Sequence, residues 1–270
     1  MIAKAIEFLK ECSLNKEKPF FLYFPMCPPH KPVVPAPQYL GKGGKVGKGS
    51  YSDWVYQGDD MLGQLLDTLE STGLADGTLV LVSADNGAAG RTYLPLRDNK
   101  GSIYEGGHRE PFLARWPGKI KPRQVNDLIF YQPDVLPTLA ELTGAKAPDD
   151  IDGISFLPTL LGQAQTKKHE MLYWEFRGQT AVRQGLWKAI QTKPDRPWEL
   201  YDLSQDISES TNVAAKHLER LAKMKAFAKA SHEPVRAGKY LDPKRTRHER
   251  DRKAKWGTAK PQPRARRPRK

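Results

Sequence analysis

Residues 78–83, Thr-Leu-Val-Leu-Val-Ser, restrict the fold more than any other stretch of the chain. They form an apolar, β-branched run of strand length, opened by the turn signal Asp76-Gly77 and stopped by Asp85-Asn86-Gly87. A run of this kind reads as a buried-type strand. In open α/β sheets, ligands sit at the carboxyl ends of strands. Here that end carries a carboxylate and an amide, both oxygen ligands. Asp-Asn-Gly alone is a plain turn. It gains chemical content from its neighbours in the same loop: Lys100, then Tyr104-Glu105-Gly106-Gly107, then Arg109-Glu110-Pro111.

The flanking patterns supply layers for such a strand. Ile2, Ala5, Ile6, Phe8 and Leu9 recur at helical spacing. Charge interrupts this segment, so it is an amphipathic helix and not a signal peptide. Residues 20–24 read as a second strand, apolar throughout and buried on both faces. A proline-punctuated loop over 26–37 holds His30, and a Gly- and Lys-rich surface loop covers 40–50. Asp53 is placed to cap a helix with Val55, Met61, Leu62, Leu65, Leu66 and Leu69 on its apolar side, ending near Gly73. Residues 112–116 and 128–131 are further strand candidates. Asp134 opens a helix closed by Gly144. Alternating strands and helices imply a mainly parallel sheet with helices on both faces, an α/β fold.

From Asp152 the pattern changes. Short strands over 171–176, 181–185, 187–191 and 199–203, then a helix over about 214–230, read as a small antiparallel α+β subdomain. The expected organisation is a domain over 1–150, a subdomain over 151–238 and a basic, disordered tail over 239–270.

Charge agrees with this division. The chain carries 44 Lys and Arg against 31 Asp and Glu. Residues 241–270 hold 13 of the former and 3 of the latter, which leaves 31 against 28 in the first 240 residues. The folded part is near neutral. A basic arm can meet nucleic acid or another polyanion, but Trp256 is the only aromatic of residues 241–270, which argues against base stacking. Two cysteines, Cys12 and Cys27, are too few for a disulfide framework. No apolar run is long enough to span a membrane.

Four segments, in order, carry a family resemblance. They are Lys18-Pro19-Phe20-Phe21-Leu22-Tyr23 leading into Pro29-His30-Lys31-Pro32; Gly58-Asp59-Asp60-Met61-Leu62-Gly63 heading a helix; the stretch over 78–111; and Leu200-Tyr201-Asp202-Leu203 with Asp206, Glu209 and Asn212. Together they resemble the sulfatases, the arylsulfatase branch of the alkaline-phosphatase-like superfamily. The resemblance implies a Ca²⁺-dependent sulfuric ester hydrolase acting on a sulfated sugar or an aryl sulfate. It implies Asp85 and Asn86 as half of the Ca²⁺ site. Lys100 would contact the sulfate, and His30 would lie near the leaving-group oxygen. Glu105, Arg109 and Glu110 match structural residues of the turn. The family also implies a periplasmic, secreted or lysosomal setting.

The chain departs from the family in one respect. Sulfatases carry C-x-P-S-R or a serine equivalent, whose first residue becomes the formylglycine nucleophile, and this sequence has no such motif. Cys27-Pro28-Pro29 is followed by His30-Lys31. The paired N-terminal aspartates of the metal site are also missing, and Asp59-Asp60 is not that pair. The expectation is therefore the downstream portion of a sulfatase, without formylglycine, with half of its metal ligands and without turnover of its own. The alternatives are a phosphate or phosphonate ester hydrolase of the same superfamily and a non-catalytic binding protein.

Overall fold

The computed structural model describes residues 1–44, 49–90 and 93–233. The basic tail lies outside the described residues. The chain divides into two compact units. One comprises Met1–Ala89 and His108–Glu170; the other comprises Gly90–Gly107 and the chain from Met171 onward.

The first unit is built on a two-stranded antiparallel ribbon, β1 (Val80–Ser83) with β2 (Phe112–Arg115), in the register Val80↔Arg115 to Ser83↔Phe112. Helices α1 (Ile2–Ser13) and α2 (Tyr51–Ser71) pack on it through Leu9, Leu69, Leu74 and Ala75, with Phe20, Leu22 and Val80 against them. Phe112 stacks edge-on with Phe130 and Phe156, at 4.6 and 5.6 Å between ring centres. That aromatic cluster is tied to α4 (Val135–Thr143) by the Phe156 N–H, which donates to Thr138 Oγ1. The short helix α5 (Leu157–Leu160) follows directly. Gly144 ends α4 in the left-handed conformation, φ 70°, where a Cβ would be strained.

Residues 20–24 and 128–131 differ from expectation. Both lack a ladder partner among the described residues, and every described strand pair is antiparallel. A strand forms only where a neighbour completes its hydrogen bonds. Phe20 and Leu22 pack half-buried against the helices, while Phe21 and Tyr23 are 72% and 78% exposed, so this run is covered in part on one face and not buried on two. In α2, Trp54 is buried and Val55 exposed, one residue out of the expected stripe. Ser50 caps that helix, not Asp53. The segment 58–63 lies inside α2 and does not head it.

The second unit is a four-stranded antiparallel meander: β3 (Leu172–Phe176), β4 (Gln179–Gln184), β5 (Trp187–Gln191) and β6 (Glu199–Asp202). Alternation along β4 and β5 sends Val182 and Ala189 to one face, where Met224 and Ala228 of α6 (Leu218–Ser231) cover them. Ala181 and Ile190 go to the other face, against Ile103, Tyr104, Tyr201 and Leu203. Trp174, Trp187 and Trp198 are half-buried at these cores. The strands and the helix agree with the sequence reading. The helical segment begins with a 3₁₀ turn, Ala214–Lys216.

Candidate functional site

Asp85 and Asn86 follow directly on β1, as the sequence requires. Asp85 is exposed, Asn86 half-buried and Gly87 buried. Two contacts fix the strand end before them. Ser83 Oγ donates to the Pro111 carbonyl at 3.0 Å, and Gln132 Nε2 donates to the Ala84 carbonyl at 3.2 Å. Continuing the β1–β2 register past its last pair sets Asp85 opposite Glu110. The electrostatics agree: burial, and then the charge of Asp85, push the Glu110 carboxyl above its ordinary range. Glu110 Oε1 is buried and has no hydrogen-bond partner among the described residues. Sequence reasoning set Glu110 aside as structural. Taking residues 112–116 as antiparallel to 78–83 would have found its proximity to Asp85.

His30 is exposed and lies in the same unit as Asp85 and Asn86. Its backbone is set by α2. Trp54 Nε1 donates to the His30 carbonyl at 2.9 Å, and the His30 N–H donates to the Cys27 carbonyl at 2.8 Å. Gly58 lets α2 approach this loop, since a Cβ there would stand 3.2 Å from Pro28. His30 Nδ1 lies 2.6 Å from the Lys31 carbonyl. A carbonyl can only accept, so Nδ1 carries the hydrogen and Nε2 is left to exchange protons.

The adjoining glycine-rich loop is pinned at both ends. Asp53, buried, accepts the N–H groups of Gly41, Gly43 and Gly49 at 2.7–2.8 Å. Those bonds, Gly41 first, hold its carboxyl below the ordinary range. The surface loop expected over 40–50 is thus held at Gly41, Gly43 and Gly49; residues 45–48 lie outside the described residues.

Lys100 belongs to the second unit. It is exposed, in a turn closed by the Ser102 N–H donating to the Asn99 carbonyl at 3.1 Å. Gly101 follows at φ 95°, a conformation that favours glycine.

The donor chemistry of Asp85 and Asn86 suits a hard cation, which takes about 6–8 oxygens when it is Ca²⁺. Among the described residues, no three His, Cys, Asp or Glu side chains come together as a metal cage. The pair therefore offers the oxygen chemistry that a hard cation takes.

The sulfatase family model matches residues 1–145, and that of the N-sulphoglucosamine sulphohydrolase C-terminal region matches residues 98–231. The chain is 34% identical to an N-acetylgalactosamine-6-O-sulfatase of Bacteroides thetaiotaomicron over 236 residues, 76% of this chain and 45% of that protein. It belongs to the sulfatase family. Human arylsulfatase A is also 34% identical, over 74% of this chain and 45% of its own length. Among solved structures, Ps i-CgsB superposes with a TM-score of 0.76 at 27% identity, covering 87% of this chain and 55% of that one. The same protein has been solved in complex with k-i-k-neocarrahexaose. The fold is the α/β, alkaline-phosphatase-like architecture of these sulfatases. The chain spans about half the length of the relatives it matches. Sulfatases in general use Ca²⁺ and formylglycine. Among the described residues, no helix is long and apolar enough to cross a membrane.

Proposed function

We propose that this sulfatase-family chain serves the hydrolysis of a sulfuric ester, on a sulfated sugar or an aryl sulfate. The observation that carries the reading is the Asp85–Asn86 oxygen pair standing at the carboxyl end of β1. Asp85 and Asn86 would hold Ca²⁺, which polarises sulfuryl oxygens when bound. Lys100 presents its ammonium to the sulfate and offsets the charge that grows on the bridging oxygen. His30 gives a proton from Nε2 to the leaving oxygen, its ring fixed by Nδ1–H on the Lys31 carbonyl. The named substrates of the relatives support a sulfated sugar, and both matching family models favour a sulfate over a phosphate ester.

The sequence carries no C-x-P-S-R, so the 270-residue chain by itself is expected to show no aryl sulfate turnover. The test joins that assay to a calcium titration followed by NMR at the Asn86 side-chain amide. Weak binding that moves the Asn86 signal and is lost in Asp85→Ala supports the metal role. Turnover by this chain that disappears in Lys100→Ala would reveal a nucleophile elsewhere in it. Calcium that leaves Asn86 unmoved overturns the site.

A further inference from the structure

We propose that the antiparallel sheet of the second unit is the mount for Lys100, and that Arg97, Lys188 and Glu209 are its positioning residues. The proposal deepens the reading of Lys100 as the cation that meets sulfate, and it rests on that reading.

The segment carrying Lys100 is held on both sides. Before it, Arg97 Nη1 donates to the Glu209 carbonyl at 2.6 Å and to Tyr201 Oη at 3.0 Å, and the guanidinium lies 3.8 Å over the Tyr104 ring. After it, the Glu105 N–H donates to Glu209 Oε2 at 2.6 Å. The Glu105 carboxylate accepts from Lys188 Nζ at 2.8 Å and from Arg183 Nη1 at 2.9 Å. Lys188 Nζ also lies 3.1 Å from Glu209 Oε1. Between the two anchors, Gln179 Nε2 donates to the Gly101 carbonyl at 3.1 Å. The strands β4, β5 and β6, with the turn after β6, thus each send a side chain to this one segment.

The glycine pair completes the seat. A Cβ on Gly106 would collide with the carbonyl oxygens of Arg97 and Asp98, and one on Gly107 with that of Ser102. Only bare backbone lets the start of α3 (Glu105–His108) lie against the 97–102 turn, where the Gly106 N–H donates to the Arg97 carbonyl at 2.8 Å. Glu105-Gly106-Gly107 is therefore an anchor followed by two close approaches, each fixing the turn that bears Lys100.

Stability alone does not explain this choice of residues. Lys188 and Glu209 are fully buried and Glu105 is 1% exposed. Desolvating such groups offsets most of their attraction, and apolar replacements of similar volume are often at least as stable. What the ions supply is direction: the Glu105 carboxylate takes Lys188 and Arg183 on its two oxygens, while Glu209 accepts the Glu105 N–H and lies beside Lys188.

The test uses the full chain with labelled lysines, comparing native protein with Arg97→Ala, Lys188→Met and Lys188→Arg. Amide exchange at Ser102 and Gly106 reports the turn, exchange at Val182 and Ala189 reports the sheet, and titration with inorganic sulfate reports the Lys100 ammonium signal. Arg97→Ala and Lys188→Met should speed exchange at Ser102 and Gly106 at least about tenfold, since each loses hydrogen bonding that involves a charged group. The sheet amides should hold in Arg97→Ala, the sulfate midpoint at Lys100 should rise several-fold, and Lys188→Arg should restore part of it. Because the Arg97 side chain lies at the surface, its variant keeps the test open if Lys188→Met fails to fold. Turn amides unchanged in Arg97→Ala, or a sulfate midpoint that does not move with them, overturns the proposal. If sulfate leaves Lys100 unmoved in the native protein, the sulfate reading falls, and the exchange measurements still decide whether the sheet mounts the turn.

Discussion

The two units satisfy their buried carboxylates in different ways. In the first, Asp53 takes three backbone N–H groups from residues no more than 12 positions away. Asp134 takes the Tyr131 and Ile154 N–H groups, with His169 Nε2 at 2.8 Å. In the second, Glu105 and Glu209 meet side-chain cations, and the partners of Glu105 lie 78, 83 and 104 residues along the chain. A carboxylate answered by nearby amides shapes a loop. One answered by distant cations joins elements. The first unit uses its carboxylates to hold loop backbone, and the second uses them to seat one segment on a sheet.

The largest expected effect breaks the second arrangement. Glu105→Ala takes their shared carboxylate from Lys188 and Arg183, leaving Lys188 with Glu209 alone, and should cost about 3 kcal/mol, the low end of the range for breaking a buried ion pair. Urea unfolding followed by tryptophan fluorescence would read it, and a loss below about 1 kcal/mol would show that the cluster is already hydrated.

Carboxyl-carbon NMR titrations sharpen the contrast. The Asp53 carboxyl is depressed by its N–H donors, so the unfolded chain takes its proton first as pH falls. The loop's contribution is then complete above the unfolded value, 3.8, and is lost as pH drops through the lower folded value. Glu209 is opposite: burial raises it above 4.5, despite Lys188 and the Glu105 N–H. The folded state keeps its proton longer, so this residue's contribution falls as pH rises through and above 4.5. Titration of the two groups in the same direction from their ordinary values would erase the distinction.

Trp54→Phe removes the bond to the His30 carbonyl and should cost about 1 kcal/mol by thermal unfolding, with sharper loss of order at His30 than elsewhere. Phe21→Ser, on the exposed face of its segment, should change stability by no more than about 0.5 kcal/mol. A larger loss would mean that this face is covered in solution.

These distances along the chain also explain what is legible in the sequence. The four strands of the meander, α6 and the end of α4 at Gly144 are local patterns, visible as alternation, helical spacing and a left-handed glycine. Asp53 is visible as a residue at a helix start, but its loop-holding role needs the positions of Gly41 and Gly43. Asp85, Asn86, Lys100 and His30 come from motif order; their geometry does not. Lys188 gives no signal at all, since a lysine inside an alternating strand reads as a solvated one. Only the return of residues 97–107 to the sheet turns it inward.

Ribosomal synthesis gives the long reach of Glu105 a timetable. Lys188 emerges 83 residues after Glu105, and Glu209 104 residues after it. At about 5–20 residues per second, Glu105 waits roughly 5–20 s in water for its partners. The meander, whose strands pair with their sequence neighbours, can close as soon as β6 is out. The Lys100 turn is written before the strands that seat it and must wait for them.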